Sequence, residues 1–276
     1  MNQLLFGTAG IPIAAKGMGI MEGIRSVREL GLDCMELEFV RNVNISKEKT
    51  AEVNTIAKKE NIILTAHGSY FINLNAPDKK KVEDSKKRVL DAARITSLCG
   101  GWSVCFHAAY YMGMEKQKAY ETVKNNLKEI VSTLQNEGIK IWIRPEYAGK
   151  TSQWGGLEEI VKASQEVEMV LPCIDFAHVY ARSLGTINNY EAYAKILEYT
   201  EKQLEKEALK NMHIHMEGIA YGKTGERHHT NLKESGINYE AVVKAWKDFG
   251  LKGVVICESP NIEDDALVLK RTYESI

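Results

Sequence analysis

Short apolar runs recur along the chain at about residues 4–8 (LLFGT), 34–40 (CMELEFV), 62–67 (IILTAH) and 102–107 (WSVCFH). Four more follow at about 140–146 (KIWIRPE), 168–175 (EMVLPCID), 211–217 (NMHIHME) and 253–258 (GVVICE). Several are nearly continuous rather than alternating, the pattern of parallel strands covered on both faces. The intervening segments have helical periodicity and are rich in Lys, Glu and Ala. In 78–100 the face predicted to pack inward carries Val82, Val89, Ala92, Ala93 and Leu98. In 115–138 it carries Val123, Leu127, Ile130 and Leu134, with Gly138 as a helix stop. Segments 188–209 and 239–249 read the same way, the second ended by Gly250. Eight strand-then-helix units close most simply as a (β/α)8 TIM barrel. With 276 residues and no low-complexity tract or break in composition, one barrel domain over 1–276 is expected.

Composition narrows the class without deciding it. Hydrophobic content of 44% and charged content of 26% are those of an ordinary soluble domain. The net charge of −1 gives no global positive field, so any nucleic-acid binding would rest on a local basic rim or on bound cations. The start, MNQLLFGTAG, has neither a basic nor an apolar leader region, and no uncharged run approaches the ~20 residues of a membrane span. A cytoplasmic protein with no membrane partner is therefore expected. The five cysteines (Cys34, Cys99, Cys105, Cys173, Cys257) form no CxxC pair, which predicts buried, reduced thiols.

The chemistry lies at the ends of the apolar runs. His67 ends IILTAH, His107 ends WSVCFH, Glu146 follows IWIRP, Asp175 and His178 follow VLPCI, and Glu258 ends GVVICE. Barrel strands end on one rim, where catalytic groups gather. Imidazole and carboxylate donors converging there suit zinc or a similar divalent ion. Asp175 also fits a helix N-cap. His213, His215 and Glu217 alternate and so share a strand face, with at least one of them expected behind the ligands rather than among them. Glu226, His228 and His229 lie in a long loop, 218–234, where a solvated charged turn is the bland alternative. Another long loop, 68–77, follows the third strand. A tetrahedral zinc site uses about four ligands. The donors here exceed that, so two or three ions are expected, zinc first and manganese as an option. Such clusters suit phosphoester hydrolysis.

In order along the chain, HGSYFINL, FHAAYY, PEYAG, CIDFAHVYA, MHIHMEG, GERHH and CESPN resemble the endonuclease IV family of apurinic/apyrimidinic endonucleases, over about residues 60 to 260. The resemblance implies a TIM barrel with a trinuclear zinc centre that cuts DNA 5′ to abasic sites with metal-activated hydroxide. It implies one ion on His67, His107 and Glu146, and a second on Glu146, Asp175, His213 and Glu258, with the catalytic Glu146 bridging. A third would sit on His178 with Glu226 and His228 or His229. It also implies that Tyr70 and Phe71 press into the minor groove of damaged double-stranded DNA, and a monomer is expected. The chain departs from the family pattern in three places. Glu226 stands where bacterial members have Asp, Ile214-His215-Met216 follows His213 in place of Leu-Asn-Asp, and VRNVN after Phe39 lacks a clear match to the arginine that probes DNA. A competing reading is a metal-dependent sugar isomerase or epimerase on the related xylose-isomerase-like barrel, which needs only one or two ions.

Overall fold

All eight apolar runs fold as strands of one parallel barrel. The computed structural model describes residues 1–276. The strands are β1 (Leu4–Ala9), β2 (Cys34–Glu38), β3 (Ile63–His67), β4 (Ser103–Phe106), β5 (Trp142–Pro145), β6 (Cys173–Asp175), β7 (Met212–Met216) and β8 (Gly253–Cys257). They pair in the order β5-β4-β3-β2-β1-β8-β7-β6, every pair parallel. Parallel bridges Ile143–Val170 and Glu146–Cys173 join β5 to β6 and close the circle.

Around the barrel run α1 (Ile20–Glu29), α2 (Thr50–Lys59), α3 (Lys79–Leu98), α4 (Lys116–Asn136), α5 (Leu157–Glu166), α6 (Phe176–Arg182), α7 (Tyr190–Leu209), α8 (Tyr239–Asp248) and α9 (Glu263–Ser275). The α4 stripe of Val123, Leu127, Ile130 and Leu134 is buried as its spacing predicts. Gly138 and Gly250 end their helices at φ 72° and 61°, a region that glycine enters without a Cβ penalty. On α3, Val89, Ala92 and Ala93 are buried, but Leu98 is exposed and Val82 only half-buried. These two lie in the first and last turns of α3. No helix is long and apolar enough to cross a membrane.

The protein has two apolar regions of different kinds. The larger one lies between sheet and helices, where Ile24, Val53, Val89, Leu127, Ile160 and Val243 meet outward-facing strand residues such as Leu37, Leu64, Val104 and Ile214. The smaller one lies inside the barrel, with Cys34, Val254 and Ile256 packed by Leu5, Ile63 and Trp102. Beside that plug the interior is polar, with Val254 level with His213 and Ile256 with His215. Glu36, Thr65, Ser103, Cys105, Arg144, Cys173 and His213 are all buried there. All five cysteines are buried free thiols, four of them in strands and Cys99 at the C-terminus of α3.

The rim is elaborated by two small antiparallel pieces. Ala109–Tyr110 pairs with Gln153–Trp154, and Gly218–Gly222 pairs with Gly225–Thr230.

Candidate metal centre

Each donor reaches the rim because its strand stops there, so the side chain of the last inward position meets its neighbours above the plug. His67 is the last residue of β3, and His107, Glu146 and Glu258 each follow their strands by one residue. Glu146 sits at the centre and is fully buried. One oxygen, Oε2, lies 3.1 Å from His67 Nε2 and 3.6 Å from His107 Nε2. The other, Oε1, lies 3.3 Å from both His178 Nδ1 and His215 Nδ1. The carboxylate therefore faces two separate sets of nitrogens, the geometry a bridging ligand requires.

Three donor groups at the rim each bring their ligand atoms within 4.8 Å of one another. They are His67, His107 and Glu146; Glu146, Asp175, His215 and Glu258; and His178, Glu217 and His229. Asp175 combines the two roles that the sequence left open. Its Oδ1 caps α6 by accepting from the His178 N–H at 2.7 Å, and its Oδ2 lies 2.9 Å from His178 Nδ1.

Two expectations are corrected. His213 does not join Glu146, Asp175 and Glu258; His215 stands there instead. Both histidines point into the barrel, but residues two apart along a strand are separated by roughly 6.6 Å, and only the later one reaches the rim. His213 stays a layer lower, with Nε2 3.0 Å from Glu36 and Nδ1 3.0 Å from the Ser103 hydroxyl. The second correction concerns His228, which is exposed on the rim hairpin, whereas His229 points toward Glu217 and Glu258. The cause is a β-bulge. Ala220 pairs with His228 and Tyr221 with Glu226, leaving Arg227 as the extra residue. The bulge shifts the alternation by one, so Glu226 and His229 share the inner face. Glu226 Oε2 then lies 3.5 Å from His178 Nε2. Gly149 is required beside it, because a Cβ there would meet Glu226 and His178 at 2.8 Å.

Two carboxylates of β2 also belong to this region, Glu36 inside the strand and Glu38 at its end. Glu36 Oε2 accepts from the Thr65 hydroxyl at 2.7 Å, and its Oε1 lies 3.0 Å from His215 Nε2, on the imidazole whose other nitrogen faces Glu146. Glu38 lies one rung higher, and burial, then the charge of Glu36, pushes its carboxyl up to about 8. The signal was present as the alternation Glu-Leu-Glu in CMELEFV.

The donor atoms suit cations. His107 Nδ1, Glu146 Oε1, Asp175 Oδ2, His178 Nε2, His215 Nδ1 and both Glu217 oxygens are buried without a hydrogen-bond partner. Each such atom costs roughly 1–3 kcal/mol if left unsatisfied, and here they converge. Burial, despite the nearby Glu146 charge, lowers His107 to about 4, which keeps it neutral with a lone pair to offer. Burial, then the charges of Asp175 and Glu258, push the Glu217 carboxyl well above the usual carboxylate range. A divalent ion supplies the opposite charge that this crowd of carboxylates lacks.

Tyr70 and Phe71 lie on the loop after β3, 60% and 64% exposed. The Tyr70 ring is 5.8 Å from that of His67, and Arg88 stands over the Phe71 ring at 5.9 Å.

Comparison with known proteins agrees with this architecture. Residues 24–274 match the family model described as xylose isomerase-like TIM barrel. An uncharacterized protein of Methanocaldococcus jannaschii is 44% identical over 274 residues, covering 99% of this chain and 98% of that one. An apurinic-apyrimidinic endonuclease of Caenorhabditis elegans is 24% identical over 266 residues, covering 91% of this chain and 65% of the relative. Among solved structures, endonuclease IV from Thermus thermophilus superposes with a TM-score of 0.74 at 18% identity, covering 98% of both chains. The 3-keto-D-glucoside 4-epimerase of E. coli superposes with a TM-score of 0.70 at 15% identity, covering 98% of this chain and 100% of that one. At such identities these two likenesses bear on the fold alone. A closed parallel barrel with polar donors gathered on its C-terminal rim, matched by the family model along nearly its whole length, makes this chain a member of the xylose isomerase-like TIM barrel family.

Proposed function

We propose that the protein is a metal-dependent phosphodiesterase that cuts DNA beside abasic sites, as the resemblance to endonuclease IV implies. One observation carries the reading: three contiguous donor groups share the rim, linked through Glu146 and His178. A sugar isomerase moves protons with one or two ions, and the group of Glu146, Asp175, His215 and Glu258 would suffice for that. The groups around His107 and around Glu217 and His229 are then left unexplained. A phosphodiester, with charge on both the attacked phosphate and the departing oxygen, uses all three.

When bound, ions at these groups would supply a water acidified for attack and positive charge to stabilise the leaving oxygen. Glu146 would hold two of the groups at fixed separation. His67 is locked by its 2.7 Å hydrogen bond to the Gly68 carbonyl, and His178 by its 3.0 Å bond to that of Tyr147. The Glu36 carboxylate stands 3.0 Å from Nε2 of His215.

The rim surface fits a macromolecule. Ile13, Met18, Tyr70, Phe71, Met112 and Tyr221 are large exposed apolar residues, and all lie on segments that follow the C-terminal ends of strands. Exposed apolar groups around a buried polar site mark a contact surface. Tyr70 and Phe71 are suited to press against bases whose stacking an abasic gap interrupts. Replacing both with Ala is expected to weaken binding to an abasic duplex by about 1–3 kcal/mol per stacked contact and to leave the metal content unchanged. Equal duplex affinity in wild type and variant would reduce the pair to loop packing.

The deciding experiment incubates metal-replete protein with a duplex carrying one synthetic abasic site and, separately, with a panel of aldoses and ketoses. Incision is expected, abolished by chelation and restored by zinc or manganese. Duplex affinity should fall steeply with salt, by a slope of about −0.9 per phosphate contacted in a log–log plot. Clean interconversion of a sugar without incision would establish the isomerase reading instead.

A further inference from the structure

Below the rim, the polar middle of the barrel holds a donor set of different chemistry. Cys105, Cys173, His213 and His215 bring their ligand atoms within 4.8 Å of one another, and all four are buried. The geometry points to a second, interior cation site, in which Cys105 Sγ, Cys173 Sγ, His213 Nε2 and His215 Nε2 hold one zinc-like ion a layer beneath the rim centre. The site shares His215 with the rim and takes its other three donors from residues outside the rim groups.

Several observations support it. Two thiolates and two imidazoles form a donor set that zinc takes tetrahedrally, at about 2.3 Å to sulfur and 2.0–2.1 Å to nitrogen. At a tetrahedral angle those bonds place a sulfur and a nitrogen about 3.6 Å apart, and Cys105 Sγ lies 3.5 Å from His215 Nε2. The strand register accounts for the convergence. Cys173 pairs with His213, and Asp175 with His215, so the four inward positions on β6 and β7 stack beside one another. Cys105 enters from β4, on the far side of β5. Strands two apart are separated by roughly 9 Å, beyond the ~7 Å limit for Cα atoms of a disulfide. The sulfurs therefore face each other at a separation that an ion can span and a disulfide cannot.

The second observation is charge. Arg144, opposite Cys105 in the β4–β5 register, is fully buried. Its guanidinium donates only to neutral acceptors, the carbonyls of Pro172 and Asn211 and the Asn211 side chain, and its Nε has no partner. A buried cation without a carboxylate partner is costly, and thiolates formed beside it on metal binding would supply the missing negative charge. Loading releases two thiol protons to solvent. Two thiolates and the Glu36 carboxylate against Arg144 and one divalent ion then sum to zero. Glu36 lies 3.0 Å from both Nε2 atoms and 3.4 Å from Cys105 Sγ, so it stands ready as an additional oxygen donor. His215 turns Nε2 toward this site and Nδ1 toward the rim, and a neutral ring has one lone pair, so with a rim ion on Nδ1 the Glu36 carboxylate takes its place beside the interior ion.

The rim groups contain no sulfur, so a sulfur-specific readout isolates the interior site. Purified protein is loaded with zinc for X-ray absorption and, in parallel, with cobalt(II) for near-ultraviolet spectroscopy. The expected results are a sulfur shell at about 2.3 Å from zinc and a thiolate-to-cobalt charge-transfer band. Both should vanish in the C105S/C173S double variant and persist in E146Q. Folded wild type with only nitrogen and oxygen around zinc and no charge-transfer band overturns the proposal. So does a sulfur signal that survives in the double variant, since it would then belong to Cys34, Cys99 or Cys257. Should the double variant fail to fold, the wild-type sulfur shell decides alone: two sulfurs support the site and none refutes it.

Discussion

Exchanging Glu146 for Gln is expected to lower turnover by more than 100-fold and to reduce the metal content of the rim. The change keeps the shape and removes the charge. Glu146 is the one residue common to two of the three rim groups, its oxygens turned to opposite sets of imidazoles. Removing partners that merely orient a ligand typically costs ~10–100-fold in affinity or activity, and a residue shared by two groups should exceed that. An amide also brings an N–H₂ toward His67 Nε2 or His215 Nδ1, replacing an acceptor with a donor in a fully buried position. Two measurements check this: metal per protein after equilibrium dialysis, and rate on the abasic duplex or on whichever sugar the protein converts. Metal content at the wild-type level with activity within threefold would remove Glu146 from the bridging role.

The parts of this site that could be read from the sequence, and those that could not, separate along a physical line. A parallel strand covered by helices is apolar throughout, so the residue at which the apolar run stops is conspicuous. His67, His107, Glu146, Asp175 and Glu258 were legible for that reason. Glu36 and Glu38 were not: Glu36 sits inside β2, and although Glu38 ends the strand, the apolar run reads on through Phe39 and Val40, so neither carboxylate closes it. The same-face alternation applied to His213, His215 and Glu217 identifies them equally well. Sequence spacing also put His213 and His215 on one face but not at one height, and height decides which of them reaches Glu146. The choice between His228 and His229 depended on a β-bulge at Arg227, set by how the hairpin strands pair across residues 218–230 and invisible in the strand's own sequence. Leu98 fits the helical stripe of α3 yet is exposed, since periodicity marks a face and not the length over which a neighbour covers it.

Glu36→Ala is expected to destabilise the fold by about 3–5 kcal/mol, the usual consequence of removing one partner from a buried charged cluster. Glu36 is fully buried, and two imidazoles, a hydroxyl and a thiol converge on its two oxygens. Burial alone would raise its carboxyl, but the charges of His215 and His213 outweigh that and hold it well below the usual carboxylate range. Alanine would leave both Nε2 atoms and the Thr65 hydroxyl facing a void in the middle of the barrel, where the apolar plug of Cys34, Val254 and Ile256 offers no hydrogen bond. The His215 ring would also lose the carboxylate packed against its Nε2, and its Nδ1 would lose register with Glu146 and Glu258. Rim affinity for zinc should therefore fall by ~10–100-fold, although Glu36 belongs to none of the rim groups. Glu36→Gln, which keeps an acceptor of the same shape, should lie between wild type and alanine on both scales. Urea unfolding and a zinc titration on the same three proteins measure the two effects together. Unfolding free energies within about 1 kcal/mol of one another, the ordinary size of a single hydrogen bond, with unchanged zinc affinity would show that Glu36 neither holds the barrel interior nor orients His215.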